Sequence, residues 1–118
     1  MTNKIPRYVG SQRRRWALDQ DELAYLVGLK SGSNVSRIEH GKRHPTIKAA
    51  FGYEALFGVS ASTLFPALFE GVEDALMRRA YKLHEELRSD DSRKARVKRQ
   101  LLQEALGRAR SRHSNEEV

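Results

Sequence analysis

The histidines are the first side chains to test for chemistry, because histidine can bind metals or transfer protons. We predict no metal site among the four: His40, His44, His84 and His113. The chain has no cysteine, which excludes disulfides, thiolate metal sites and a thiol nucleophile. No Ser/His/Asp set, phosphate-binding glycine loop or dinucleotide fingerprint is present. The sequence therefore predicts neither an enzyme nor a bound metal or cofactor.

Basic residues are the remaining chemical signal. Lys and Arg number 22 against 15 Asp and Glu, giving a net charge of +7 over 118 residues. Ten basic and five acidic residues fall in residues 1–60, and residues 93–112 hold eight basic residues against Glu104. This excess favours a polyanionic partner, either nucleic acid or an acidic membrane surface. No apolar run reaches the ~18–20 residues needed to cross a membrane, and no secretory signal is evident.

The elements that position these charges are all predicted to be helices. Apolar residues recur at helical spacing, and no segment shows the alternation of apolar and polar residues that is typical of a strand. Five short helices are predicted within about residues 5–65, the first beginning near Pro6. Asp19 and Glu22 form a capping-box pattern before the second helix, which ends at Gly28. Val35 and Ile38 indicate a third, short helix. Trp16 and the tyrosines are predicted to pack.

Two longer amphipathic helices are predicted to follow, one over 72–88 and one after Ser92. The apolar stripe of the first comprises Val72, Leu76, Ala80, Leu83 and Leu87. The stripe of the second comprises Val97, Leu101, Leu102, Ala105, Leu106 and Ala109. His84 lies on the apolar side of its helix, so we predict a packed histidine there. The fold class is therefore all-α, with a domain over residues 1–66 and a helical extension over 67–118.

Residues 13–45 carry a specific motif. Asp19-Gln20, Leu23-Ala24, Gly28, Ser36-x-x-Glu39 and Gly41-x-x-x-Pro45 occur together at fixed spacing. This pattern resembles the lambda-repressor-like helix-turn-helix family, which includes phage repressor and Cro proteins, and the resemblance covers about residues 5–65. It implies a five-helix DNA-binding domain whose recognition helix, at about residues 32–40, enters the major groove of duplex DNA.

By that resemblance, the outward residues of the recognition helix contact bases. Arg37 can bond guanine through two acceptors, and contact with a phosphate alone is the alternative. The predicted base-contacting residues are Ser33, Asn34, Ser36 and Arg37, although Ser33 and Asn34 could equally cap the helix. The predicted phosphate-contacting residues are Gln20, Lys30, Lys42, Arg43 and His44; solvated surface charge is the alternative. Arg13 and Glu39 match a family pair that forms an internal ion pair.

The sequence departs from the family pattern in three places. The loop between Gly28 and Val35 is one residue longer than usual. Gly32 stands where the family often has a polar contact residue. Trp16-Ala17 replaces a charged residue and a glycine.

We therefore expect a cytoplasmic, sequence-specific DNA-binding transcription regulator from a bacterium or phage, most often a repressor. Its predicted homodimer contact comprises Val97, Leu101, Leu102 and Leu106. One alternative is a DNA-binding antitoxin or adaptor whose C-terminal helices bind a protein partner. Another is an RNA-binding or purely protein-interacting module.

Overall fold

The computed structural model describes residues 8–116, and seven α-helices form its regular structure over that range. In chain order they are α1 (Tyr8–Arg15), α2 (Gln20–Val27), α3 (Gly32–Glu39), α4 (Ile47–Phe57), α5 (Ala61–Leu64), α6 (Pro66–Glu86) and α7 (Arg93–Glu116). The predicted all-α class is confirmed. The chain divides into two compact units, Met1–Phe69 and Glu70–Val118, called unit 1 and unit 2 below.

The predicted start of the first helix, near Pro6, lies outside the described residues. The helix predicted over 72–88 begins earlier, at Pro66. Proline suits a first helical position because its missing N–H needs no partner there, and Ala67 and Leu68 continue the helix well.

Polar caps fix the helix ends in unit 1. The Asp19 side chain accepts a hydrogen bond from the Glu22 amide at 2.7 Å, and the Glu22 carboxylate accepts one from the Asp19 amide at 3.0 Å. This confirms the predicted capping box. Gly28 ends α2 with a φ of +81°, a left-handed conformation that glycine adopts without steric cost. Thr46 caps α4 and Ser60 caps α5 through their hydroxyl oxygens.

The core of unit 1 is built from large apolar side chains. Tyr53, Leu23 and Val35 are the largest fully buried residues, and the Tyr53 ring lies 5.4 Å from the ring of Phe65 between centroids. Removing one such side chain from water contributes about 1.5–3 kcal/mol. The short helices of unit 1 are therefore held by tertiary packing, because helices of eight residues are unstable alone.

Unit 2 is an antiparallel helical hairpin. Glu73, near the start of α6, pairs with Arg112, near the end of α7, and its carboxylate also lies 3.5 Å from His113 Nε2. At the other end, Arg99 donates to the carbonyl oxygens of Leu87 and Asp90. Glu73, buried to 5% exposure, is a core member that the sequence pattern did not predict.

Small residues occupy the middle of this hairpin. Ala80, Ala95 and Ala109 are its buried apolar residues in the described part of the chain. The predicted stripes are therefore only partly correct: Val97 and Leu101 are exposed, whereas Leu102 and Leu106 are half-buried. On α6, Val72, Leu76 and Leu83 are exposed too. Each predicted stripe covers about half of the circumference of its helix, and a single partner helix can bury only the central part of that width.

His84 is half-buried, as the prediction of a packed histidine requires. Its Nε2 is buried and has no hydrogen-bond partner among the described residues. Between residues 8 and 116, no helix combines the length and apolar composition that crossing a bilayer requires.

Candidate nucleic-acid interface

Helix α3 has one buried side and one accessible side. Val35 and Ile38 are buried in the core of unit 1, at 0% and 6% exposure. Ser33 and Arg37 are exposed, and Asn34 and Ser36 are half-buried. The predicted inward orientation of Val35 and Ile38 is confirmed. Their burial fixes the rotation of α3, so the Arg37 side chain extends away from the core.

The first turn of α3 is held against α2. The Gly32 amide donates to Asp21 Oδ1 at 2.9 Å, and Gly32 is buried. A Cβ at this position would lie 2.5 Å from Asp21 Oδ1 and 3.0 Å from the Asp21 amide nitrogen. Where the family often has a polar contact residue, this chain therefore has a packing residue at which a side chain would displace the Asp21 carboxylate and press on the start of α2.

Three of the predicted DNA-contacting residues lie together. Arg43 Nη1 donates to Asn34 Oδ1 at 2.6 Å, which joins the loop after α3 to the first turn of α3. Lys30, Asn34 and Arg43 line one shallow depression with Thr46. The guanidinium has further N–H groups and the Asn34 amide keeps its NH₂ donors, so both side chains can still bond an anion.

Lys42, Arg43 and His44 are all exposed beyond the end of α3. The ring of His40 contacts the Ser36 carbonyl oxygen through Nδ1 at 2.8 Å. His40 and His44 are four residues apart, but α3 ends at Glu39, so they do not share a helix face. No cluster of three or more potential metal ligands occurs in the described residues.

An ion pair connects α1 to the end of α3. Arg13 Nε donates to Glu39 Oε2 at 2.6 Å and Arg13 Nη2 to Glu39 Oε1 at 3.2 Å, with side-chain exposures of 12% and 6%. Arg13 Nη1 also donates to the Leu18 carbonyl oxygen at 2.9 Å. The hydrogen bond to Glu39 and its negative charge raise the pKa of Arg13, against the opposing effect of burial. The pair therefore favours the charged guanidinium, the form that arginine already has in proteins.

Gln20 belongs to the same network. Its Nε2 donates to Glu39 Oε1 at 3.2 Å, a contact that the sequence did not predict. The predicted phosphate contact of Gln20 would use the second amide proton or the backbone N–H at the start of α2, where the helix dipole favours an anion.

Several aromatic residues do not pack as expected. Trp16 is 60% exposed, with the Arg15 guanidinium 5.6 Å from its ring centroid. Tyr25 and Tyr81 are 84% and 62% exposed, and only Tyr53 is buried among the tyrosine side chains that the structure describes. Local sequence did not reveal this, because exposure depends on which helix faces find a neighbour.

The segment that holds this surface matches a known family. Residues 17–64 match the family model described as helix-turn-helix, and this range contains α2 to α5. Residues 17–64 are a lambda-repressor-like helix-turn-helix domain. This helix-turn-helix domain is a DNA-binding regulatory module, with α2 and α3 as its two central helices. No curated protein and no solved structure matches the chain.

Proposed function

We propose that the protein is a sequence-specific regulator that binds duplex DNA and represses transcription by occluding a promoter. Base recognition uses α3 in the major groove, with Arg37 as the main base-contacting residue beside Ser33, Asn34 and Ser36. The observation that carries this proposal is the fixed orientation of α3: two buried residues hold one side, so Arg37 must extend from the other. A guanidinium on this exposed side of the helix can donate to the O6 and N7 atoms of guanine.

Phosphate contacts supply the affinity in this proposal. Lys30, Lys42, Arg43 and His44 are exposed around α3, and Gln20 lies at the start of α2. Contacts from such residues orient a protein on the duplex without selecting its sequence. Each neutralised phosphate also releases counterions, which makes binding depend on salt.

Selection of bound sequences from a random duplex pool tests base recognition directly. We expect a defined consensus, whereas equal recovery of all sequences, or preference for RNA in competition, would exclude the proposal. Arg37→Ala is expected to weaken consensus binding by about 1–3 kcal/mol and relax one base position. Lys42→Ala is the matched control, expected to weaken binding to all sequences alike and to lower the salt slope by about one.

We further propose that two copies associate through unit 2. Successive residues of a helix are about 100° apart around its axis. Counted in the direction of increasing residue number, Val72, Leu76 and Leu83 lie about 70° before the buried residues of α6. Val97 and Leu101 lie about 120° before the buried residues of α7. Antiparallel helices turn in opposite senses when viewed along one axis. Both exposed groups therefore lie on the same side of the hairpin and form one apolar surface.

A second copy of the hairpin is the occupant that this surface suits, because a two-fold dimer can bury the same patch on both chains. The interface consists of Val72, Leu76, Leu83, Val97 and Leu101, with the half-buried Leu102 and Leu106 behind it. Two-fold DNA sites commonly need such a dimer.

The dimer is tested by sedimentation of the full chain at micromolar concentration. Leu76→Glu and Leu101→Glu are expected to give monomers, because a charge would be buried without a partner. Tyr81→Glu is the control, since Tyr81 lies on the opposite side of α6. A wild-type monomer, or dissociation by the control alone, would contradict this interface, and a stable complex with a different protein would support the adaptor alternative.

A further inference from the structure

One side of α7 carries only polar residues and glycine. At about 100° per residue, eight positions of α7 fall within a sector of about 100°. We call this sector the outer polar face, and it comprises Arg93, Arg96, Gln100, Gln103, Gly107, Arg110, Ser111 and Ser114. All of these residues are exposed except the half-buried Gly107. The centre of this face points neither toward α6 nor along the apolar surface formed by Val97 and Leu101, while Arg110 at its edge lines one depression with Asp74 of α6.

Acidic residues are absent from this sector of the sequence. Glu104 lies beside it and accepts a hydrogen bond from Gln100 at 3.1 Å. Arg93 and Arg110 have no acidic partner within salt-bridge distance in the part of the chain that the structure describes. Neither arginine is therefore held in an ion pair within the described residues.

Gly107 is an unusual residue for the middle of a helix of this length. Glycine there costs about 0.5–1 kcal/mol relative to alanine. No described atom outside its own helix lies within 4 Å of the position that a Cβ would occupy, so packing does not require glycine. Its effect is to leave bare backbone in the centre of the outer polar face, where a flat or bulky ligand can approach closely.

The composition of the face distinguishes among polyanionic ligands. A helix that binds a membrane surface needs a free apolar side beside its basic residues, and the exposed apolar residues of α7, Val97 and Leu101, belong to the dimer surface proposed above. Protein interfaces also depend on buried aromatic or aliphatic anchors, which are missing here. Arginine and glutamine, by contrast, are among the residues that donate hydrogen bonds to the phosphate and sugar oxygens of DNA.

We propose that the outer polar face of α7 is a second DNA-binding surface, which contacts the sugar–phosphate backbone of the duplex outside the base pairs contacted by α3. This proposal rests on the DNA-binding function proposed above. A helix of 24 residues is about 36 Å long, comparable to one turn of B-form DNA. The surface adds affinity and extends the site, but it does not select sequence.

The test compares two triple variants with the same change in charge. Arg93→Gln, Arg96→Gln and Arg110→Gln together remove three charges from the outer polar face. Arg78→Gln, Arg79→Gln and Lys82→Gln together remove three charges from α6, where acidic residues such as Glu85 and Glu86 are interspersed. Binding is measured between about 50 and 200 mM salt on a short consensus duplex and on one extended with random sequence. Helicity and sedimentation show that both variants keep the wild-type fold and assembly.

Wild-type protein is expected to bind the extended duplex about tenfold more tightly than the short one, and the α7 variant should not show this gain. Its salt slope on the extended duplex should fall by about 2.7, because each of three phosphates neutralised by the wild type contributes about 0.9 to the slope. The α6 variant should stay close to wild type.

Equal losses of affinity in both variants, or no gain from extension in the wild type, would overturn the proposal. Binding to acidic vesicles that depends on the same arginines, with DNA binding unchanged, would also overturn it. Failure of the proposed function gives a different result, namely wild-type protein that does not prefer its consensus over a scrambled duplex.

Discussion

Units 1 and 2 are both helical, but they are stabilised in different ways. Unit 1 buries large side chains such as Tyr53 and Leu23 and joins two of its helices with a nearly buried ion pair. Unit 2 buries alanines and a charged Glu73, while Leu76 and Leu101 remain more than half exposed. Burial of alanine contributes far less than burial of leucine, because stabilisation scales with the apolar area removed from water. We therefore expect unit 1 to be stable by itself and unit 2 to depend on a second copy.

Charged pairs provide the sharpest test of that difference. In unit 1, Glu39→Gln and Arg13→Met each leave a poorly solvated group without its partner, and each is expected to reduce the free energy of unfolding by about 3–5 kcal/mol. The double variant should recover part of this loss, since neither charge then remains. Urea unfolding followed by fluorescence of Trp16, the single tryptophan, reports on unit 1.

The exposed comparison pair is Glu85 and Arg88 in unit 2, whose charged atoms lie 3.4 Å apart on the surface. Glu85→Gln is expected to change the free energy of unfolding, followed by circular dichroism of all helices, by less than about 1 kcal/mol, because exposed pairs are solvated and screened. Near-wild-type midpoints for all three unit 1 variants would show that the Arg13–Glu39 pair contributes no more than a surface pair.

Glycine positions extend the comparison. Gly32→Ala in unit 1 forces a Cβ against the backbone of Asp21, and overpacking of this kind costs about 1–3 kcal/mol. Because Gly32 orients the first turn of α3, DNA affinity should also fall. Gly107→Ala in unit 2 meets open space and should instead raise helix stability by about 0.5–1 kcal/mol. Calorimetry measures both shifts, and a stabilised Gly32→Ala would contradict the close packing of α3 on α2.

The sequence predicted those features of unit 1 that depend on local signals. Asp19 and Glu22 identify a helix start because capping uses residues three apart, and Gly28 marks a left-handed end. The pairing of Arg13 with Glu39 followed from the resemblance alone. The bonds from Gln20 to Glu39 and from Arg43 to Asn34 were not predicted, because they join separate elements whose approach depends on the whole core.

In unit 2, the sequence predicted two amphipathic helices but not their rotation. A stripe that spans half a helix is compatible with several orientations, and the structure selects the one that buries Ala95 and Ala109 rather than Val97. Burial of Glu73 depends on Arg112, which is 39 residues away. No local pattern in the sequence contains that information.

Ala17 tests a backbone cost that is specific to unit 1. This residue has a φ of +61° where the family has glycine, and a left-handed conformation costs an L-residue about 1–2 kcal/mol. Ala17→Gly removes this cost but loses more entropy on folding, so we expect a net gain of about 0.5–1 kcal/mol. Ala55→Gly, at an exposed position within α4, should show a loss of similar size. A destabilised Ala17→Gly, measured by urea unfolding, would show that the turn after α1 is not strained.

Substitution of Tyr53 should have the smallest effect on the free energy of unfolding at neutral pH and the clearest dependence on pH. Its hydroxyl is buried without a hydrogen-bond partner in the described residues, so Tyr53→Phe is expected to leave stability unchanged or raise it by up to about 1 kcal/mol.

Burial raises the pKa of Tyr53 far above its usual value near 10, and the charge of Glu39 raises it further, partly offset by Arg13. Ionisation therefore favours the unfolded chain, and the wild type should lose stability relative to Tyr53→Phe as the pH rises above 10. At pH 11 that additional loss should reach about 1 kcal/mol. Urea unfolding of both proteins at pH 8 and pH 11, followed by Trp16 fluorescence, measures it, with Tyr25→Phe, at an exposed position in unit 1, as the control. Parallel stability profiles for wild type and Tyr53→Phe would mean that the hydroxyl of Tyr53 reaches water or a partner in solution.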